Sequence, residues 1–195
     1  MRVYGHICDA KRFLTQNSGL IVFCAVLCLF SVGIAIAAGV KLDCPSDYFE
    51  QEGGILIVWV RGDCGAAKYA LFALVEAAAV FAVLWGCSYN DFTAPIGFLA
   101  IFYRGYTRVF SFSVIAAACG IKSIIPIAID AVFLFAQISV VSLCAVYVCR
   151  SDQRLRDGIS CTAELSRAVL IMFSVYVSVV CIETVALSSV IAVFF

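Results

Sequence analysis

A chain of 195 residues that is 64% hydrophobic and only 13% charged departs from an ordinary soluble domain, where roughly 45–50% of residues are apolar and about 25% charged. A soluble fold of this size could not hide so much apolar side chain, because a large part of any small domain stays at its surface. Lys+Arg and Asp+Glu balance at 13 each, so the composition excludes a soluble globular enzyme, a disordered chain and a basic nucleic-acid binder, and leaves a polytopic membrane protein.

The first apolar run, Leu20 to Val40, has 21 residues without a charge, which matches the ~20 that a spanning helix needs. Arg2, Lys11 and Arg12 precede it. A signal peptide has a similar look, with Ala35-Ile36-Ala37 as a cleavage-like motif. The run is longer than a usual signal core and further apolar runs follow, so it reads as a retained helix. Residues 41–68 form the one substantial hydrophilic segment. Within it, Ile55-Leu56-Ile57-Val58-Trp59-Val60 is too short to span and has a Trp near its end, as an interfacial segment does. The second span is Tyr69 to Cys87. A polar break at residues 88–93 separates it from the third, Pro95 to Cys119, with Pro95 in the first turn. Gly120 ends that helix, and Lys122 and Pro126 open the fourth, Ile121 to Cys149. Residues 150–163 read as a basic loop carrying Arg150, Arg154 and Arg156. The fifth span runs from Glu164 to Phe195.

The expected fold is therefore one all-α membrane domain over residues 1–195, a bundle of about five transmembrane helices in a lipid bilayer. With the N-terminus inside, the inner segments hold seven Lys/Arg and the outer segments four, as the positive-inside rule asks. Segment 41–68 then faces outward. The 11 cysteines sit mostly inside apolar runs and read as small packing residues. Only Cys44 and Cys64 share a polar segment where they could pair.

Five charges fall within the predicted spans: Glu76, Arg104, Arg108, Asp130 and Glu183. Each costs about 2.5–3.5 kcal/mol at a helix centre on insertion scales and so demands a partner or water. Arg104 and Arg108 lie four apart on one helix face and repel unless carboxylates answer them. Asp130 and Glu183, on the next two spans, are the natural partners, with Glu76 third. Arg104, about one third of the way in from the inner side of its span, is the best placed of the five to snorkel. The cluster reads either as an ion-pair set that fixes helix register or as a hydrated path for an ion or polar solute. Small residues recur on the fifth span as Ser174, Ser178, Cys181 and Ser188, a face that suits close packing inside the bundle or against a partner's helix.

Catalysis finds no constellation. The single histidine is His6, in the N-terminal polar segment, so no membrane Ser–His pair can form. No zinc motif or phosphate loop is present, and no cofactor or metal site is expected. An intramembrane carboxyl dyad would require Asp130 and Glu183 to meet.

Residues 98–112, with Arg104-Gly105 in an apolar setting, then a small-residue-rich helix and the turn Gly120-Ile121-Lys122, resemble the core of the stage II sporulation protein M family. The order of elements resembles it too: basic start, first span, outer segment, four more spans. In the terminal helix Glu183 corresponds to a family Glu. Where the family has a Pro-Gln-Asn-like element, this chain reads Ala128-Ile129-Asp130-Ala131, with Gln137 later. The resemblance implies a multi-pass plasma-membrane protein of endospore formation. Such a protein is a non-enzymatic scaffold in engulfment that anchors or recruits membrane-anchored cell-wall hydrolases. Apart from the resemblance, a homo-oligomer is a further expected partner state. The runner-up reading is a small transporter or channel subunit with a polar intramembrane site.

Overall fold

The computed structural model describes residues 15–41, 65–87, 96–156 and 162–194. His6, Cys44, Cys64, Pro95 and the 55–60 run lie outside the described residues. Five long helices follow one another: α1 (Ser18–Lys41), α2 (Ala66–Cys87), α3 (Gly97–Cys119), α4 (Ile124–Arg156) and α5 (Thr162–Phe194). A short 3-10 turn, Gly120–Ser123, joins α3 to α4. No strand occurs among the described residues, so the fold is all-α.

Helices α1, α2, α4 and α5 are each long and apolar enough to cross a membrane, which makes the chain a multi-pass membrane protein by length and composition. Their outward faces carry large exposed apolar side chains, such as Val26 and Leu29 on α1, Leu71 on α2, Phe135 on α4 and Val185 on α5. Such a surface suits lipid, since hydrocarbon satisfies no polar group. The third helix has the length, 23 residues, but not the hydropathy of the other four. Arg104, Arg108 and the tyrosines and threonine around them lower it. Instead of facing outward, those arginines are buried by the neighbouring helices.

Packing does not follow chain order. Helix α1 lies chiefly against α3, while α5 packs on both α4 and α2, and α3 meets α4. The α1–α3 seam is built on two glycines. A Cβ at Gly39 would collide with the Ser113 side chain, and one at Gly105 would collide with the Ser31 hydroxyl. Small residues at such points let two backbones approach. Helix α2 runs antiparallel to α5: Tyr69, near the start of α2, meets Glu183, late in α5, and Trp85, near the end of α2, donates to Ser166 near the start of α5 at 3.2 Å.

The glycine expected to end the third helix does so: Gly120 adopts φ 58° and its N–H returns to the carbonyl of Ala116. The left-handed conformation is one that a β-carbon disfavours. The expected start of the fourth span shifts, because residues 120–123 form the 3-10 turn. The expected basic loop at 150–163 is also corrected. Helix α4 continues to Arg156, since nothing between Cys149 and Arg156 breaks a helix and polar side chains are tolerated once the chain leaves the apolar zone. Among the described cysteines, Cys24, Cys87 and Cys144 are buried, in keeping with a packing role.

Candidate polar site inside the bundle

Eight polar side chains from α2 to α5 meet in the bundle interior. Each helix contributes two: Tyr69 and Glu76, Arg104 and Arg108, Asp130 and Gln137, Tyr176 and Glu183. The spacings are seven, four, seven and seven residues, whole numbers of turns to within a fraction, so both members of each pair share a face. Helices α2 and α5 carry the same pattern, Tyr followed seven residues later by Glu. Because they are antiparallel, the Tyr of one lies at the level of the Glu of the other.

The result is two tiers with one contact scheme. In the first, the Arg108 guanidinium lies over the Tyr69 ring, 5.7 Å from its centroid. It donates to the Tyr69 hydroxyl at 2.8 Å and to Asp130 at 3.5 Å, and its other Nη is 3.3 Å from Glu183. Tyr69 donates onward to Glu183 at 2.5 Å. In the second tier, the Arg104 guanidinium lies over the Tyr176 ring at 5.8 Å. It donates to Gln137 at 2.8 Å and pairs with Glu76. Tyr176 donates to the same Gln137 oxygen at 3.2 Å. Gln137 then joins the tiers by donating to Glu183.

The site is dry as well as connected. Arg104 and Glu183 are fully buried, and Arg108, Asp130 and Gln137 nearly so. Both guanidiniums are met by polar groups that replace part of their hydration, with Arg104 Nε left without a hydrogen-bond partner, and without such groups an ion in a medium of low dielectric is strongly unfavourable. Glu76 alone reaches the surface, its side chain 31% exposed. It borders a groove of about 470 Å³ between α2 and α3 lined by Phe72, Val80, Leu99 and Tyr103.

All five sequence-predicted charges thus come together, with the partners apportioned: Asp130 and Glu183 serve Arg108, and Glu76 serves Arg104. Arg104 does not snorkel. It lies on the inner face of α3, where Glu76 and Gln137 hold it. Sequence reasoning missed Tyr69, Tyr176 and Gln137 as members. Their signal was the seven-residue spacing from a charge on an otherwise apolar helix. The carboxyls of Asp130 and Glu183 converge on one guanidinium, 3.5 and 3.3 Å from Arg108, with Tyr69 bonded to both Arg108 and Glu183 beside them.

The remaining predicted residues are elsewhere. Gly105 serves the α1–α3 seam, and Lys122 is exposed in the 3-10 turn. Ser174, Ser178 and Cys181 face outward and Ser188 is half-buried. The reading of this stripe as packing inside the bundle is therefore corrected. The buried face of α5 is the one carrying Val169, Tyr176, Val180, Glu183 and Leu187. Ser174, Ser178 and Ser188 instead bond back to carbonyls of their own helix. Among the described residues no cluster suited to a metal ion occurs. No family model, curated protein or solved structure matches the chain.

Proposed function

We propose that this chain is a non-enzymatic integral membrane scaffold whose polar core fixes the relative positions of α2, α3, α4 and α5, leaving outer helix faces free for partner helices. The closure of the polar network carries this reading. Seven of its eight members are buried side chains bonded to one another. An aqueous path needs groups turned toward water, whereas a fixed platform needs groups turned toward each other. The outward stripe of Ser174, Ser178 and Cys181 offers the small surface against which a partner's transmembrane helix packs closely.

The physiological setting follows from the resemblance over residues 98–140 to the stage II sporulation protein M family. In that setting the scaffold sits in the plasma membrane, N-terminus inside, and holds membrane-anchored cell-wall hydrolases during engulfment. A photo-crosslinker at Ser178, activated in sporulating cells and read by mass spectrometry, tests this. Adducts to hydrolase membrane anchors are the expected result. Adducts confined to an ATPase or a solute-binding subunit would overturn it.

One observation favours a second reading, a small transporter or channel subunit. The part-exposed Glu76 opens the Arg104 tier to the groove between α2 and α3. Solute flux in proteoliposomes that is abolished by Glu76→Gln would establish that reading over the scaffold.

A further inference from the structure

The two tiers differ in one respect that their common contact scheme makes visible. In the Arg104 tier, one arginine faces one carboxylate, Glu76, and the residue that α4 contributes is the neutral Gln137. In the Arg108 tier, one arginine faces two carboxyls, Glu183 and Asp130, the latter standing where the other tier has its amide. The Arg104 tier is electrically neutral, and the Arg108 tier holds one negative charge too many.

Among the described residues, no further cation meets that excess. Against the Asp130–Glu183 pair stand Tyr69 from α2, Arg108 from α3 and Gln137 from α4, while Glu76, Arg104 and Tyr176 stand in the other tier. Helix α1 brings no charged residue into its span before Lys41. Asp130 is 1% exposed and Glu183 0%, so neither water nor salt screens the charge. Two buried carboxylates gathered on one guanidinium repel, whereas a carboxyl group and a carboxylate can share the hydrogen between them. An amide at Gln137 supplies donor hydrogens of its own. Asp130 can play the corresponding part only with a hydrogen on its carboxyl.

We infer that the Arg108 tier is a proton-binding site: Asp130 and Glu183 share one bound proton, which leaves Arg108 balanced by a single negative charge. Uptake adds one hydrogen ion and breaks no covalent bond, and release restores the charge that the dry interior resists. The site's occupancy is thereby linked to the helix arrangement. Loosening α4 from α5 admits water and frees the proton, and closing the pair takes it back.

The linkage has a definite sign. In the unfolded chain carboxyls ionise with midpoints near 4, so above about pH 5 the unfolded state binds no proton at these residues while the native state binds one. Stability then falls as pH rises, with the unfolding constant growing about tenfold per pH unit until the native state loses its proton. Reversible unfolding of the purified full chain in detergent micelles, followed between about pH 5 and 7, reads this directly. Wild type and Lys122→Leu, a change at an exposed residue of the 3-10 turn outside the polar site, should show the tenfold slope. Asp130→Asn, which supplies the amide of the neutral tier, should lose the slope. A wild type without it, or an Asp130→Asn variant that keeps it, overturns the proposal. So does a stability that responds to sodium replaced by choline and not to pH, which would make the bound cation sodium. Should Asp130→Asn not fold, Glu183→Gln takes its place. Infrared spectroscopy of the wild type at neutral pH gives a second readout: a protonated-carboxyl band that shifts in D2O is expected, and its absence contradicts the proposal.

Discussion

Arg108 is the residue on which most of the polar core converges, reaching Tyr69, Asp130 and Glu183 at once. Arg108→Leu would leave two carboxyls in the dry interior without a cation. Removing one member of a buried pair destabilises by about 3–5 kcal/mol. Lys122→Leu changes an exposed residue of the 3-10 turn, where substitutions stay within about 0.5 kcal/mol. Thermal unfolding of the two variants in detergent should separate them clearly, and equal stabilities would contradict the assignment. The two tyrosines should also differ. Tyr69 donates to a carboxylate and accepts from an arginine, whereas Tyr176 donates to a neutral amide. Tyr69→Phe should therefore lose about 1.5–3 kcal/mol and Tyr176→Phe about 0.5–1.5 kcal/mol by the same measurement. At this scale the charges were legible in the sequence because each stands out in an apolar run. Tyr69, Tyr176 and Gln137 were not, because they carry no charge and only their register to one distinguishes them.

Among the helices, α1 and α3 illustrate how close approach substitutes for polar bonding. Gly105 lies against the Ser31 hydroxyl, which itself donates to Cys28 of its own helix at 2.7 Å. Gly105→Ala pushes a methyl group into that hydroxyl, and overpacking of this kind costs about 1–3 kcal/mol. Ser31→Ala removes the oxygen that is struck. A double-mutant cycle should then show coupling, with the double variant more stable than Gly105→Ala alone. Additive losses would place Gly105's constraint elsewhere. The helices were largely readable from apolar length, and Gly120 marked the end of α3 as expected. Two things were not readable. The end of α4 depends on where the membrane stops, which composition does not mark sharply when no helix breaker is present. The buried face of α5 was assigned to its small residues, yet it is the face seven-fold in register with Tyr176 and Glu183 that turns inward. Satisfying a charge outweighs packing a serine, because serine can satisfy itself on its own backbone.

The whole molecule is a bundle in which the least apolar helix is sheltered by the others. α1 and α4 both pack against α3, while the two antiparallel Tyr–Glu helices, α2 and α5, pack on each other and bring their acids to its arginines. That arrangement was not legible beforehand, since chain order suggests that α1 neighbours α2. It follows from charge pairing across non-adjacent segments, which pattern reading of single helices does not reach. The central claim is that this interior is closed to water. Hydroxyl-radical footprinting in proteoliposomes, with modified residues identified by mass spectrometry, tests it without altering the chain. Tyr69 and Tyr176 should stay unmodified in the folded protein and become modified after denaturation. Modification of both at comparable rates in the two states would mean that water reaches the two tiers, and the closed platform would give way to a hydrated path.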